Sequence, residues 1–540
     1  MVVVIVVTKT KPSLVVFSHA TLHSRLAACY YPWMLLASLI GLQVFSRLIT
    51  FALNQTLVRI ASPLIYGAAS VQFDLVLGTI LFLSREGTRA ALLRSLTPGR
   101  DRLLALGPIL LGGPMAVFVG VGYARFWAGE EVRRQDGFGK AVMVYVIAAL
   151  VELMAEPFYN EAVWRRKVGE RVRIEGAAVV SRTMVTLALL LLGKAWMSPL
   201  EAFASGQLVY ALVLFGGYVV RFGSAWDGEW KWKEVNRETK RLVGVMMAQS
   251  LLKHVLTEGD RMVLSTFPLD AQGAYALSSA YGALLARMVF QPVEESLRLS
   301  FTSTVDKGKG KTGTKTLLTM TLRIYAAFSI LLVTFAPPFL PLFIPLLLPP
   351  SYLTTSAPRI LSLYPYYIPL LAFNGALEAF FASMATPPEV NGQSRMLTLL
   401  GVGYVLGCWA GRGLGGWVLV LGNMVNLAGR VVWCWCFAKK YFRDSEGWTI
   451  SDVSPPKAFL LVVGFSRLLM FLVQFWLFGG GDGWEAHVEK LGRRALMDGR
   501  VLSFFGMGGV LGLVCLGVWW LSGGRKVIGW LRGVDKGKKE

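Results

Sequence analysis

Long apolar stretches alternate with short loops rich in Lys and Arg along almost the whole chain. Each stretch has about 20 residues, the length that a helix needs to cross the roughly 30 Å hydrocarbon core of a bilayer. Core helices of soluble proteins usually stop at about 10 to 14 apolar residues. The pattern therefore predicts an all-α polytopic membrane protein with about 14 transmembrane helices.

The predicted helices follow one another with short connections. Proline is concentrated in residues 338–350, and because it removes a backbone donor and disrupts helices, we predict a loop or a broken helix there that dips toward the bilayer. We place the helices near residues 33–58, 64–84, 103–124, 139–158, 177–194, 199–220, 243–266, 273–292, 317–337, 358–382, 396–411, 415–438, 457–478 and 501–521.

A faint internal repeat relates the first and seventh helices. Gln43 lies four residues before Arg47, and Gln249 lies four residues before Lys253. Two halves of six helices are typical of transporters built from parallel repeats. We predict an N-terminal extension, a first six-helix lobe, a cytosolic linker, a second six-helix lobe, two additional helices and a basic cytosolic tail. These segments cover residues 1–32, 33–220, 221–242, 243–438, 439–521 and 522–540.

The distribution of basic residues predicts the orientation. With the N-terminus in the cytosol, and with basic residues at the very ends of helices counted with the adjoining loops, the cytosolic loops and tails hold 35 of the 55 Lys and Arg residues, and the opposite loops hold 12. This ratio of about three to one satisfies the positive-inside rule. Because the predicted number of helices is even, both termini are predicted to be cytosolic.

Two lysines of the C-terminal tail match the spacing of a retrieval signal. Lys536 and Lys538 stand fifth and third from the end, as in the dilysine signal that cytosolic coat proteins read to return membrane proteins to the endoplasmic reticulum. The spacing predicts an endoplasmic reticulum membrane protein whose tail binds coat proteins. The alternative is an ordinary basic tail.

Composition excludes several functions. Charged residues make up 16% of the chain, against about 25% in soluble domains. The net charge of +22 is explained better by basic cytosolic loops than by a nucleic-acid partner. The basic run at 307–312 lacks the first glycine of a phosphate-binding loop, the four His residues form no metal motif, and the five Cys residues form no disulfide framework. We therefore expect no enzyme, no metal and no cofactor.

Ionisable residues inside predicted membrane helices are candidates for function, because each costs about 2.5–3.5 kcal/mol to insert. Arg47, Lys253, Arg261 and Arg287 are the cations that we expect to line a cavity between the lobes. Arg and Lys there would hold an anionic headgroup. The alternative is internal ion pairing, such as Arg261 with Glu258 or Asp260, which would only orient helices.

Two further cations close the cytosolic end of the second predicted helix. Arg85 and Arg89 are four residues apart and share a helix face, so they could meet a phosphate at the membrane surface. The alternative is that they complement the helix dipole. Pro157 and Pro292 lie beside carboxylates near helix ends, where a kink useful for gating or a plain helix stop would be expected.

Five segments, in order, resemble a known family. They are GLQVFSRLITFALNQTLVR (41–59), FLSREGTRAALLR (82–94), ELMAEPFYNEAV (152–163), LKHVLTEGDRMVLS (252–265) and ARMVFQPVEES (286–296). Together they are similar to the eukaryotic oligosaccharide translocation family of the endoplasmic reticulum, over about residues 33–440. The resemblance implies two six-helix lobes around a central cavity, as in the multidrug, oligosaccharidyl-lipid and polysaccharide exporter superfamily. The motif residues that it implies are Arg47, Arg85, Glu86, Arg89, Glu156, Glu258, Arg261, Gln291, Pro292, Glu294 and Glu295.

The resemblance also implies a substrate. The family is named for moving Man5GlcNAc2-PP-dolichol, a lipid-linked oligosaccharide, across the membrane during N-glycan assembly. A flippase must offer the diphosphate and sugars a polar, cationic groove while the polyprenyl tail stays among membrane lipids. No ATP site is needed, because consumption of the product in the lumen can drive net transport.

Two alternatives remain open at this level. The chain could be an accessory or scaffold protein of the same pathway, with its polar residues holding the lobes together. A cation-coupled exporter of small molecules is a further alternative. It would need a coupling carboxylate deep in one lobe, for which Asp74 and Glu378 are the candidates.

The predicted topology can be tested with a glycosylation tag fused after Glu540. We expect the tag to remain unglycosylated, because the tail is predicted to be cytosolic. Replacing Lys536 and Lys538 by Ser should release part of the protein from the endoplasmic reticulum, as seen by microscopy. A glycosylated tag would contradict the topology, and full retention of the double variant would show that these lysines are not required for retention.

Overall fold

A computed structural model describes residues 2–8, 11–17, 51–94, 102–165, 167–193, 196–223, 237–306, 310–443 and 447–525. The chain divides into two compact units, Met1–Thr56 and Leu57–Glu540. In the first unit, strands β1 (Val2–Thr8) and β2 (Lys11–Phe17) pair in antiparallel fashion, with Val2 opposite Phe17. The sequence pattern did not predict this hairpin within the N-terminal extension.

The remaining elements are helical, and the predicted all-α polytopic fold is confirmed. Each predicted helix has a counterpart in the described chain, although only residues 51–60 of the first are described. We number them α1 (51–60), α2 (Pro63–Gly67, a π turn at Ala68–Phe73, and Asp74–Arg94), α3 (Arg102–Gly122 and a π turn at Tyr123–Trp127), α4 (Phe138–Met154 and Glu156–Trp164), α5 (Val168–Leu192), α6 (Pro199–Phe222), α7 (Arg237–Leu264), α8 (Leu269–Leu285, a π turn at Ala286–Phe290, and Gln291–Asp306), α9 (Gly310–Leu347), α10 (Ala357–Met384), α11 (Pro387–Ala410), α12 (Trp417–Tyr441), α13 (Lys457–Phe478) and α14 (Gly499–Trp519 and a π turn at Trp520–Gly524).

Ten of the described helices are long and apolar enough to span a membrane: α2 to α6, α9, α10, and α12 to α14. Helices α7, α8 and α11 do not meet these criteria of length and apolar composition. The polar residues of α7 include Glu258, Asp260 and Arg261. Because we predict that α7 and α8 border a hydrated cavity, we expect these two helices to be more polar than the others. The total of fourteen membrane crossings stays a prediction.

We predicted a loop or a broken helix at residues 338–350, and this prediction is wrong for most of that segment. The helix α9 continues to Leu347 through Pro337, Pro338, Pro341 and Pro345. A proline in a helix leaves the carbonyl four residues earlier without its donor, and neighbouring elements must supply another. Pro338 frees the carbonyl of Thr334 in this way, and Arg467 of α13 lies 3.5 Å from that oxygen.

Two apolar cores include side chains of α2. The first core packs side chains of α2, α3, α4 and α6 around Phe73 and Tyr145, both of which are completely buried. The second core extends over α8, α9, α10 and α12 around Phe301 and Phe380, and it also takes in Tyr66 of α2 and neighbouring side chains of α1, α5 and α6. These cores do not test the predicted boundaries of the extension, the two lobes, the linker, the additional helices and the tail, which stay predictions.

The last two helices pack against each other and against α9. Phe339 of α9 and Phe504 of α14 have ring centroids 5.2 Å apart. Between α13 and α14, Trp484 is 1% exposed and donates a hydrogen bond of 2.9 Å to the carbonyl of Pro338. Asp498 caps α14, and the backbone amide of Val501 holds the pKa of that carboxyl below its usual value. The segment between the two helices is thus fixed to α9.

We predict that Trp484→Phe lowers the free energy of unfolding by about 1–3 kcal/mol, because the indole loses its bond to Pro338 and leaves a void. Trp476→Phe is the matched control, since Trp476 is 81% exposed on α13. Thermal unfolding of the purified variants in detergent measures the difference. Equal midpoints for the two variants would contradict the role given to Trp484.

Candidate functional site

Four charged side chains meet between α2 and α4. Arg85 donates from Nη1 to Oε1 of Glu152 at 2.9 Å and reaches Glu156 at 3.5 Å. Arg89 forms a fork onto both oxygens of Glu156, at 2.7 Å from Nε and 2.6 Å from Nη2. Glu152 and Glu156 are 6% and 2% exposed. Buried carboxylates need partners of this kind, so the four residues form one charge-paired cluster across two helices.

Aromatic and charged residues of α4, α5 and α6 extend this cluster. The Tyr159 ring lies between two guanidinium groups, with Arg89 at 3.9 Å and Arg171 at 5.0 Å from its centroid. Arg171 donates to Glu175 at 2.9 Å, and Tyr218 donates to the same carboxylate at 3.3 Å. The groups surround a cavity of about 210 Å³, large enough for several water molecules. Its lining is Arg85, Arg89, Glu152, Ala155, Glu156, Tyr159, Arg171, Glu175, Tyr210, Leu214 and Tyr218.

The formal charges of this cavity cancel, because three arginines face three glutamates. The cluster therefore binds four helices together without presenting free positive charge. An incoming phosphate would have to displace a carboxylate from its arginine. Within the described residues, no group of three His, Cys, Asp or Glu side chains could hold a metal ion.

Other intramembrane charges are paired inside the lobes as well. Arg182 of α5 lies 3.2 Å from Asp74 of α2, and Arg430 of α12 lies 2.5 Å from Glu378 of α10. Asp74 and Glu378 were the candidate coupling carboxylates, and each now has a cationic partner. Arg261 contacts Glu258 at 2.9 Å, which is the internal ion pair considered as the alternative for that residue.

The two lobes meet along a seam that we define by Gly67 and Gln72 of α2, Gly273 and Gln272 of α8, and Ser265 after α7. A Cβ atom at Gly67 would overlap the carbonyl oxygen of Leu269, and one at Gly273 would overlap that of Pro63. Only glycine permits backbones to approach so closely. The seam lies at the predicted lumenal end of the helices.

Hydrogen bonds of Gln72 cross this seam. Its Nε2 donates to the carbonyl of Ser265 at 2.9 Å and to Oε1 of Gln272 at 3.0 Å. Tyr123 of α3 donates to Oε1 of Gln72 at 3.2 Å. The Glu131 carboxylate accepts the Leu269 amide at 3.0 Å, at the start of α8. The bonds of Gln72 to Ser265 and Gln272 and that of Glu131 to Leu269 hold the lobes together at this end, and the Tyr123 bond orients Gln72 from within its own lobe.

Farther along, α2 packs on α7. Thr79 and the buried His254 are 3.0 Å apart, and Phe82 lies beside the His254 ring at a centroid distance of 5.0 Å. Near the opposite end, a Cβ at Gly87 would come within 2.5 Å of the Met247 side chain. The described faces of α2 and α7 are thus closed against each other over several turns.

The structure places the remaining predicted site residues as follows. Arg47, Lys536 and Lys538 lie outside the described residues. The backbone of Lys253 belongs to α7 and that of Arg287 to the π turn of α8, but their side chains are outside the described part. Their assignment to a substrate site stays a prediction.

The second helix is longer than predicted. It extends to Arg94, so Arg85, Glu86 and Arg89 lie inside α2 rather than at its end, and the dipole explanation does not apply. The α-helical bonding of α4 is interrupted at Ala155, just before Pro157. In α8, the α-helix resumes at Gln291 after the π turn and continues through Pro292.

The carboxylates after this π turn also have partners. Glu294 accepts from Arg298 at 2.7 Å, and Glu295 accepts from Gln291 at 3.3 Å.

The sequence analysis did not identify Gln72, Gln272, Arg171 and Glu175 as candidate site residues. In the sequence, each of these four residues is marked only by being a polar residue within an apolar helix or close to its end.

We predict that Glu156→Gln lowers the free energy of unfolding by about 3 kcal/mol. This is the lower end of the range for breaking a buried pair, because Arg85 and Arg89 stay 26% and 21% exposed. Glu130→Gln is the control, since the Glu130–Arg134 pair is about 80% exposed and should contribute about 0–1 kcal/mol. Thermal unfolding in detergent compares them, and similar losses in both variants would refute the buried cluster's structural role.

Solved transporters share this fold. The structure of a protein titled lipid II flippase MurJ, in an inward closed conformation, matches with a TM-score of 0.59 and 12% identity, over 92% of this chain and 100% of that one. A multidrug resistance MATE family transporter in an inward-facing conformation matches with a TM-score of 0.51 and 14% identity, over 74% of this chain and 96% of that one. At these identities the likeness concerns the fold alone.

Sequence relatives are more specific. Proteins named Man(5)GlcNAc(2)-PP-dolichol translocation protein RFT1 from Yarrowia lipolytica and Mus musculus are 32% and 29% identical, over 80% and 75% of this chain and 74% and 81% of the relatives. The relative of that name from Saccharomyces cerevisiae is 26% identical, over 74% of this chain and 81% of its own length. A family model described as Rft-1, Rft protein, matches residues 35–518. The chain therefore belongs to the Rft protein family.

Proposed function

We propose that this chain translocates Man5GlcNAc2-PP-dolichol from the cytosolic to the lumenal leaflet of the endoplasmic reticulum membrane for protein N-glycosylation, without ATP hydrolysis. The observation that carries the proposal is the match of four-fifths of the chain to a relative named for translocating this lipid. The fold adds support, because both solved neighbours named above are transporters by title.

The physical task explains why such a fold suits the substrate. A diphosphate and its sugars cannot enter hydrocarbon without losing their hydration, and charges at the bilayer centre are costly. A path between two lobes keeps the headgroup beside polar helices while the polyprenyl tail stays in lipid. The polar composition of α7, which packs on α2, fits a helix that borders such a path.

The seam supplies a means of alternating access. Its described contacts include glycine approaches, hydrogen bonds around Gln72 and Gln272, and apolar packing of Val71 against Val263 and Phe267. A typical hydrogen bond contributes only about 0.5–1.5 kcal/mol net. We propose that the headgroup enters from the cytosolic side when the α2–α7 packing at Gly87 and Met247 opens, and leaves to the lumen when the seam opens. Arg47, Lys253, Arg261 and Arg287 would contact the diphosphate, while the paired Arg85 and Arg89 would hold the helices of their lobe together.

One observation favours a second candidate, an accessory or scaffold protein of the dolichol-linked oligosaccharide pathway. The described arginines Arg85, Arg89, Arg182, Arg261 and Arg430 all contact carboxylates of their own lobe. Internal pairing of this kind stabilises helices and needs no substrate. The cations that distinguish the two candidates are therefore Arg47 and Lys253.

We predict that Arg47→Gln and Lys253→Gln each reduce function about tenfold or more with near-normal abundance. A charge-assisted contact is worth about 1.5–3 kcal/mol, and 1.4 kcal/mol corresponds to a factor of ten. Arg47→Lys and Lys253→Arg should retain part of the function. The readout is N-glycan site occupancy in cells depleted of the native protein, with abundance measured in parallel.

Lys490→Gln is the control for this series, because Lys490 is exposed between α13 and α14. It should complement fully. Full complementation by the Arg47 and Lys253 glutamine variants would contradict the cationic path. Their disappearance from the membrane would assign them a structural role and favour the scaffold.

A further inference from the structure

A polar contact lies midway along the packing of α2 on α7. Thr79 Oγ1 and His254 Nε2 are 3.0 Å apart, and His254 is 2% exposed. On α2, Thr79 lies about 10 Å from the seam residue Gln72 and about 12 Å from Gly87, at a rise of about 1.5 Å per residue. The apolar span that holds all three runs from Pro63 to Arg89, so Thr79 is close to its middle. The contact therefore lies between the lumenal seam and the packing at the cytosolic end.

One nitrogen of the His254 ring is buried without a partner. Within the described residues, Nδ1 makes no hydrogen bond, whereas Nε2 faces Thr79. We assign the Thr79 hydroxyl as the donor to Nε2, because its side chain has no other hydrogen bond in this part of the chain. The ring hydrogen of the neutral imidazole is then on Nδ1. A buried donor that lacks an acceptor costs free energy, so its presence between two lobes requires an explanation.

A polar stripe leads from His254 to the seam. Glu258, Arg261 and Ser265 follow His254 at intervals of four, three and four residues, and at helical spacing such residues share one face. Arg261 pairs with Glu258 at 2.9 Å, and the Arg261 side chain is 46% exposed. Ser265, directly after α7, belongs to the seam and accepts from Gln72. His254 is therefore the buried end of a stripe whose other members border the seam or lie at the protein surface.

A headgroup that crosses between the lobes has to pass this contact. On the proposed path it enters where Gly87 packs on Met247 and leaves through the seam at Gln72. Thr79 and His254 lie between these two points. When α2 and α7 separate there, the Nδ1 hydrogen no longer lies against packed protein and can meet an oxygen atom of the passing headgroup.

We propose that His254 contacts the headgroup of the lipid-linked oligosaccharide at the middle of its path, by donating a hydrogen bond from Nδ1 to a phosphate or sugar oxygen. This inference rests on the proposed function, from which it takes the substrate class. A neutral imidazole suits the middle of a bilayer, because it supplies a donor without the cost of inserting a charge. Thr79 orients the ring through its bond to Nε2 while the lobes are closed.

Two amide substitutions separate the roles of the two ring nitrogens. The amide of Asn lies near the position of Nδ1, whereas the longer side chain of Gln brings its amide to the position of Nε2. His254→Gln therefore keeps the bond to Thr79 and removes the headgroup donor, and His254→Asn does the reverse. Thr79→Val removes the same bond from the other side. Thr183→Val is its control, because Thr183 is half-buried on α5 and bonds to the carbonyl of Val179 in its own helix.

The purified full chain in detergent is titrated with Man5GlcNAc2-PP-dolichol and, separately, with dolichyl diphosphate, which carries no sugars. We expect His254→Gln to bind the glycosylated lipid about tenfold more weakly than the wild type, with an unfolding midpoint near that of the wild type. His254→Asn should keep most of the affinity, although its midpoint falls together with that of Thr79→Val. Equal weakening for both lipids assigns the contact to a phosphate oxygen, and weakening for the glycosylated lipid alone assigns it to a sugar oxygen.

Two results would overturn the proposal. One is an unchanged affinity of His254→Gln for both lipids. The other is a parallel loss of affinity and stability in the Asn and Gln variants, because a purely structural role of the ring would then be sufficient.

N-glycan occupancy in cells depleted of the native protein separates this inference from the proposed function. If the wild-type chain and His254→Gln both restore occupancy and bind the lipid equally, the contact is wrong and the function stands. If the wild-type chain binds the lipid and His254→Gln weakens this binding, but the wild type fails to restore occupancy, the function is wrong and the contact stands. A wild-type chain that binds neither lipid overturns both.

Discussion

Charge inside a hydrocarbon environment must be neutralised by a nearby partner, and the packing of each lobe depends on this constraint. Arg85 and Arg89 join α2 to α4, Arg182 joins α5 to α2, and Arg430 joins α12 to α10. Removing one partner of such a pair leaves a charge with no compensation, which costs far more than the pair contributes. The pairs therefore make each lobe a body that resists internal rearrangement.

The contacts described between the lobes have a different character. At the seam, glycines allow backbones to touch, and the side chains of Gln72 and Gln272 form hydrogen bonds. Hydrogen bonds of this type can be exchanged for water at a small net cost. If the lobes separate as units, as alternating access would require, these hydrogen bonds and the apolar packing of α2 on α7 and α8 must be released, while the ion pairs inside each lobe can stay intact.

Sequence alone predicted much of the fold, because membrane helices leave a strong periodic and compositional signal. The order of the helices and the resemblance to the family were predicted and confirmed. The proline-rich part of α9 was predicted wrongly, since the donors that compensate for its prolines, including Arg467, are distant in sequence. The partners of Arg85 and Arg89 were missed for the same reason: Glu152 and Glu156 are brought to α2 only by packing of the lobe. Whether Arg47 and Lys253 face one cavity stays a prediction.

The central claim is that this chain itself moves lipid-linked oligosaccharide between leaflets. The most direct measurement reconstitutes the purified chain in liposomes with a traceable Man5GlcNAc2-PP-dolichol and follows the fraction that an added, membrane-impermeant mannosidase can reach. The account predicts that liposomes containing the protein expose nearly all of the lipid with time, whereas protein-free liposomes expose only the outer leaflet, about half. Equal fractions in the two preparations, with folded protein present, would contradict direct translocation and favour the scaffold.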